Sequence, residues 1–574
     1  MLSLYLLICI ALPLTVAASG LQARQDDLST FIAEERPIAL AGALANIGGL
    51  NSSWVEGASP GIVVASPSTV NPDYFFTWTR DSALTYTMLI DELIFGNTSL
   101  RKTIEDYTTA QAILQTVTNP SGSLWPAGDG LETFLEIYWP LILNDLKYVG
   151  QYWNQTGFDL WEEVHGSSFF TIAAQHRALV QGGLLAQKLN TTCTPCKQAS
   201  QILCFLQHNF WNISGNFLTA DINVNQVTRS GINSDPILAS IHVFDANATC
   251  NAGSFQPCNS KMLATHKTLV DSFRNLSWPV NDNVPAGQAI LVGRYPEDTY
   301  YDGGAWPLCT FACAEMLYDA VAQIKRGGTL SVDSISLTFF QDLSPDVKIG
   351  NYTGQEMHTI LANMSTYADG FVRAVQQHLP TNGSISEQFN HTTGSSTSAS
   401  KLTWSFASFV TMSRRRASQF PPSWGADTAQ ANTNLTAAQC KPSSYNGTGT
   451  YAPAVAAGAP NITTPCEVEV LFTVNATTQF GQNVYLAGNV TKLGGALNDA
   501  GSVILPLSPG NYTSERPEWY VDIWLRAGQT VAYQYVLQNG DEFVFETGQN
   551  QDRTVKVPAC GGEMVMTDDV ASFS

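Results

Sequence analysis

Basic side chains are scarce. Lys and Arg number 28 against 48 Asp and Glu, the formal net charge is −20, and no basic run occurs. A surface of that sign repels phosphate backbones, which argues against nucleic acid as a partner. It suits neutral substrates or acid conditions. Histidine is also sparse, at 8 residues, and no HExxH pair is present. Hydrolysis at a bound metal is therefore unsupported, and no metal site is expected. The chain has no GxSxG elbow, P-loop or convincing dinucleotide fingerprint, so no cofactor is expected. Beyond the first residues no apolar run approaches the roughly 20 residues of a membrane helix. No internal repeat is visible.

What is there begins with an export signal. Leu2 to Val16 are almost wholly apolar, and small residues follow from Ala17 to Gly20. This reads as a signal peptide over 1–19, so the protein is expected to be secreted. Seventeen N-x-S/T sequons agree with export, among them Asn51, Asn154, Asn212, Asn382 and Asn475. Of 11 cysteines, Cys9 would leave with the signal peptide. The other ten read as disulfides in an exported chain. Cys193 and Cys196 have no second Cys or His pair at zinc spacing.

At 574 residues the chain is long enough for two or three domains. Residues 25–440 read as mainly helical, with three- and four-residue apolar spacing in Asp81–Phe95, Leu100–Val117, Phe169–Leu189, His266–Phe273, Cys309–Ile324 and Met357–His378. Residues 441–465 are rich in small residues and Pro, as in a linker. Residues 466–574 turn strand-like, with alternation in Glu467–Val474, Asn483–Gly488, Trp519–Leu525 and Thr530–Leu537. The fold class expected is mainly α, a toroid of paired helices, followed by a small antiparallel β-sandwich.

Glycoside hydrolysis needs a carboxylic acid to protonate the leaving oxygen and usually a second carboxylate. Asp159-Leu-Trp-Glu162-Glu163 sets two adjacent carboxyls beside Trp161. Their repulsion and partial burial should raise one pKa, which suits a general acid. Composition alone also allows a solvated acidic loop. Glu387 lies in a Gly/Ser-rich loop that could present it to a cleft or leave it on the surface. Tyr74 to Asp81 puts Arg80 and Asp81 among aromatics, a set that can hold sugar hydroxyls and C–H faces; Asp81 could also be a helix N-cap. Arg294 and Asp298, followed by Trp306, form another such set or a structural ion pair.

Together these segments closely resemble the fungal glucoamylases of glycoside hydrolase family fifteen. The matching stretches are GIVVASPS from Gly61, NPDYFFTWTRDS from Asn71, QYWNQTGFDLWEEVHGSSFF from Gln151, GRYPEDTYYDG from Gly293, SISEQ from Ser384 and LTWSFA from Leu402. The resemblance implies an (α/α)6 toroid and inverting exo-hydrolysis of α-1,4 and, more slowly, α-1,6 glucosidic bonds of starch and maltooligosaccharides, releasing β-glucose. It implies Glu162 as general acid and Glu387 as general base, about 6.5–9.5 Å apart to leave room for water. Tyr74, Trp78, Arg80, Asp81, Trp161, Arg294, Trp404 and the Leu160 carbonyl would hold the first glucose. Glu163 and Trp306 would help hold the next, and Asp159 would help orient the acid. It also implies disulfides Cys193–Cys196, Cys204–Cys440, Cys250–Cys258 and Cys466–Cys560, with Cys309 free; Cys313 is extra. A monomer is expected.

The chain departs from the family pattern around 121–140. Several tens of residues are missing there, a stretch that normally supplies a Trp over the pocket and one barrel helix. Trp125 is a candidate substitute for that Trp. Loss of that helix should expose apolar surface. The alternative function is therefore a catalytically impaired, secreted carbohydrate binder. The C-terminal segment resembles a family-twenty starch-binding module, with Phe480, Tyr512 and Phe545 as candidate sugar platforms and Trp519 as a contact or core residue. Ala496 and Gln534 stand where that family has Trp and Lys.

Overall fold

A computed structural model describes residues 12–114, 134–224, 229–251, 253–427, 467–479, 481–500, 505–510, 512–513, 515–540, 542–547, 553–559, 564–569 and 573. The chain separates into two compact units, Met1–Ala459 and Pro460–Ser574.

The first unit holds helices α1 (Leu12–Ala45), α2 (Thr79–Ile94), α3 (Arg101–Leu114), α4 (Phe134–Tyr152), α5 (Phe169–Lys188), α6 (Ala199–Asn209), α7 (Asp235–His242), α8 (Ser260–Arg274), α9 (Pro307–Gly327), α10 (Leu337–Leu343), α11 (Gly354–Gln376) and α12 (Thr403–Arg416). The six helices expected from apolar spacing are all present. α8 starts earlier than periodicity suggests, because Asn259 caps it by accepting from the Lys261 N–H at 3.0 Å.

Burial sorts the helices into two rows. α7, α9 and α12 are buried on nearly every side, as expected of helices surrounded by others. α11 instead buries a single stripe, including Met357, Leu361, Met364, Ala368, Phe371 and Val375. α5, α7, α9, α12 and α2 pack one on the next as an inner row. α6, α8, α11, α1 and α3 back them in the same order from outside. This is the α/α toroid, and its loops at one end carry the site.

Among the described residues the inner row ends at α2 on one side and α5 on the other, with the shortened segment between them in sequence. Trp125 lies outside the described residues. α4, starting at Phe134, is the helix that the shortened segment still leads into. α2 and α3 leave Ile90, Ile94 and Ile113 exposed.

In the second unit Glu467–Asn475 pairs antiparallel with Glu518–Arg526 and parallel with Met564–Asp569. A second sheet orders Leu505–Pro506, Gln482–Gly488, Thr530–Asn539 and Glu542–Phe545, with Arg553–Lys556 also on Thr530–Asn539. All its pairs are antiparallel. Val468, Val470, Phe472 and Val474 point inward on alternate positions and meet Tyr533, Tyr535 and Leu525 in one core.

The disulfides Cys193–Cys196 and Cys250–Cys258 are formed. Cys204 is disulfide-bonded, while Cys440, Cys466 and Cys560 lie outside the described residues. Cys309 and Cys313 are buried free thiols on α9.

Candidate active site

A pocket of ≈ 140 Å³ opens among the loops and is lined by Tyr74, Trp78, Arg80, Asp81, Trp161, Glu162, Glu163, Arg294, Tyr300, Trp306, Glu387 and Trp404, with Ala65 and Leu402. Every expected catalytic-unit site residue except Leu160 and Asp159 lines it. At about 30 Å³ per water, its volume holds only a few waters or one small polar ring. A larger cavity of ≈ 630 Å³ lies around Arg36, Glu92 and Arg414 and contains none of these residues.

Helix starts deliver several of the side chains. Trp78 is the N-cap of α2, with extended backbone, and Arg80 and Asp81 follow in the first turn. Asp81 is therefore not the N-cap; it sits where a carboxylate favours the helix dipole. Trp306 is the N-cap of α9, and Pro307 fixes its first turn. Trp404 lies in the first turn of α12.

Glu162 sits at the tip of a hairpin whose stem pairs Gly157 with Gly166 and Phe158 with His165. Asp159 holds the tip: its Oδ1 accepts from the Glu163 N–H at 2.7 Å and the Val164 N–H at 2.9 Å, and its carbonyl accepts from the Glu162 N–H at 3.1 Å. Glu162 is left-handed, at φ 63. That conformation is uncommon away from glycine and marks strain maintained by the surroundings. Its carboxyl accepts from Arg80 Nη1 at 3.1 Å and from Trp78 Nε1 at 3.4 Å. The Leu160 carbonyl, expected to take a sugar hydroxyl, accepts from Arg80 Nη1.

Three tryptophans form the floor. Trp161 stacks on Trp404 at 6.0 Å between centroids and leans on Trp306 at 5.5 Å. Asn233 fixes Trp161 by accepting from its indole N–H at 2.9 Å. Arg294 is buried within 5.0 Å of the Trp306 ring centroid and 5.2 Å of that of Tyr300. It donates to Asp298 at 2.8 and 2.7 Å and reaches Glu163 at 2.8 Å. The expected Arg294–Asp298 pair is thus real, and Arg294 faces the pocket as well.

The adjacent carboxyls do not divide as simple repulsion suggests. Burial pushes Glu163 up, but the Tyr295 hydroxyl, Arg294 and Arg229 outweigh it, and its pKa is lowered. Arg229 reaches Glu163 at 2.9 Å. Glu163 is the carboxylate kept ionised.

Glu387 is only 2% exposed. Its N–H donates to the Ala399 carbonyl at 2.8 Å, and Ser398 Oγ donates to its Oε2. Burial pushes its pKa up to about 7, against the opposing pull of Ser398, Arg294 and Tyr74. The Tyr74 and Tyr300 hydroxyls meet at 2.7 Å. Ser398 holds its hydroxyl in place from a left-handed backbone at φ 60.

Sequence reasoning missed Tyr295, Tyr300, Asn233, Arg229 and Ser398. Both tyrosines lie inside the GRYPEDTYYDG stretch, so a signal existed. Asn233, Arg229 and Ser398 occupy ordinary polar loops and carry none. Among the described residues no group of three or more His, Cys, Asp or Glu could hold a metal ion.

In the second unit Phe480 lies outside the described residues. Tyr512 is half-buried against Trp519, at 6.0 Å between centroids, and its hydroxyl accepts from the Thr478 N–H at 3.2 Å. Trp519 is buried in the core. Phe545 packs with Tyr485, Phe543, Ala487 and Val536 in a separate cluster. Gln534 is fully buried, with no partner for either side-chain polar atom.

Comparisons with known proteins agree with this geometry. The model of "Glycosyl hydrolases family 15" matches residues 37–134 and 127–414, two pieces that meet in the shortened segment. The model "Starch binding domain" matches 467–565. "Glucoamylase P" of Amorphotheca resinae is 47% identical over 603 aligned residues, covering 96% of this chain and 95% of that protein. The glucoamylase of Neurospora crassa is 42% identical, with 90% of each chain covered. The solved glucoamylase of Hormoconis resinae superposes with a TM-score of 0.70 at 47% identity, over 95% of this chain and 98% of that one. That of Hypocrea jecorina gives 0.70 at 39%, over 95% and 100%.

Proposed function

We infer, from the premise that this chain belongs to glycosyl hydrolase family 15 and carries a starch-binding domain, that it is a glucoamylase acting on starch and maltooligosaccharides. The observation that carries the reading is the meeting of Glu162 and Glu387 in one pocket of ≈ 140 Å³ floored by tryptophans. A pocket of that size suits one terminal sugar ring rather than a long internal stretch of chain. The three ring faces cover C–H surfaces, and Arg80, Asp81 and Arg294 bind hydroxyls.

In this reading Glu162 gives its proton to the glycosidic oxygen as the bond to C1 breaks. Glu387 takes a proton from a water that attacks C1 from the opposite face, so the glucose released is the β anomer. The exposed hairpin tip lets Glu162 regain a proton from solvent. Burial keeps the base dry, and Ser398 holds its carboxylate toward the water. Glu163, ionised beside Arg294 and Arg229, offers acceptors to the second sugar.

The non-catalytic alternative is not favoured, because both carboxyls and the aromatic floor are in place despite the shortened segment. We further propose a catalytic domain over 25–440, a linker over 441–465, a starch-binding domain over 466–574, and a secreted monomer. No helix among the described residues is long and apolar enough to cross a membrane.

Anomer-resolved proton NMR of the full chain with maltotriose tests the mechanism. Early β-glucose from the parent, absent with Glu162→Gln, is expected. Early α-glucose would sink the inverting assignment, and no glucose from folded parent protein would restore the binder reading.

A further inference from the structure

The hairpin that carries Glu162 has a second concave surface along its stem. A groove of ≈ 420 Å³ runs between α4, the hairpin and the start of α5. Tyr148 and Tyr152 of α4 form one wall, their ring centroids 4.9 Å apart. Phe158, 62% exposed, stands on the other. Gln155, Thr156 and Gln175 lie between, and Gln175 Oε1 is buried without a hydrogen-bond partner.

The chemistry of this lining is selective. Among the described residues none of its lining side chains is charged, in a chain bearing 28 basic and 48 acidic residues. Those residues offer phosphate, carboxylate and cation ligands no counter-charge. A purely apolar ligand would strand the amides and hydroxyls, which costs free energy. Exposed rings interleaved with neutral donors and acceptors match a neutral sugar, whose rings offer C–H faces and hydroxyls.

We propose that this groove binds an internal segment of a neutral α-glucan, separately from the chain end held in the pocket. The proposal rests on the starch-degrading reading above for the identity of the glucan. Because pocket and groove share one hairpin, a long substrate held in the groove keeps chain ends near Glu162. Short substrates gain nothing from it.

The test is hydrogen–deuterium exchange of the full chain with β-cyclodextrin, a neutral glucan ring with no chain end to enter the pocket. Slower exchange is expected in peptides over 148–158 and 166–175, alongside peptides of the starch-binding domain. Tyr148→Ala, and independently the volume-conserving Gln175→Leu, should abolish the first protection and leave the second. Tyr148→Ala should also raise KM for soluble starch about three- to tenfold, the scale of one lost ring contact, with kcat and maltotriose hydrolysis unchanged.

Protection confined to the starch-binding domain overturns the proposal. So does a Tyr148→Ala variant that melts earlier yet keeps its sugar response, because the groove would then be a packing surface for residues 115–133. Protection that appears only in Asn154→Gln assigns the groove to a glycan carried at that sequon, and overturns it too. The catalytic reading stands or falls separately, on glucose release by the parent chain.

Discussion

The two walls of the pocket solve opposite problems. One is the hairpin over 157–168, with Glu162 at its tip and 53% of that side chain exposed. The other is the segment over 384–404, where Glu387 is 2% exposed. The first wall is open to solvent; the second is dry, with Glu387 bonded to Ser398 and Ala399. A proton donor must reach the leaving oxygen and refill from solvent. A base must hold one water and nothing else. Two chemically identical side chains are thus given different surroundings, one solvated and one desolvated.

The strongest way to break this contrast is Glu162→Gln. Turnover of maltotriose should fall by about 10³-fold or more, while melting and circular dichroism stay close to the parent, since the side chain is half-exposed. Activity within tenfold of the parent would remove Glu162 from the acid role. A sharper version uses α-glucosyl fluoride, whose leaving group needs no proton. Glu162→Gln should still hydrolyse it at an appreciable rate. Glu387→Gln should lose about 10²-fold or more on it, because the water still needs a base. Equal behaviour of the two variants would erase the distinction between the walls.

Ser398→Ala probes the dry wall more gently. The Ser398 hydroxyl favours the charged form of Glu387, whose pKa burial has already pushed up to about 7. Without it the pKa rises further. A base works only when deprotonated, so the acid limb of kcat/KM should move to higher pH, by about one unit if one charge-assisted hydrogen bond is lost. An acid limb that stays put, or moves down, would mean that Glu387 does not govern it.

The smallest effect on either wall should come from removing residues 466–574. Maltotriose hydrolysis should stay within about twofold, while binding to granular starch falls several-fold, the loss expected when a linked second binding module is removed. Equal losses on both substrates would deny the second unit a separate binding role.

Much of this was legible in the sequence. Apolar spacing placed α2, α5, α9 and α11 to within a few residues, because a helix buries its stripe at fixed three- and four-residue intervals. Alternation placed the strands over 467–475 and 530–539 for the same kind of reason. The shortened segment was visible as missing residues. Ordered motifs brought Trp161, Arg294 and Trp404 into one expected site. Other features were not legible. Asn233 steadies Trp161 across 72 positions and Arg229 reaches Glu163 across 66; nothing local marks either. Trp519 could be contact or core until its burial was seen.

The sequence by itself determined where helices and strands form, that the chain has two units, and which residue types are available for acid–base chemistry. Those depend on periodicity and composition over short stretches. Only the tertiary structure decided that Arg294, Arg229 and Tyr295 hold Glu163 below its ordinary pKa, that Glu387 is desolvated, and that Ser398 and Tyr74 hold it. Desolvation and charge–charge interactions depend on distances between segments far apart in the chain, and those distances exist only once the helices have packed.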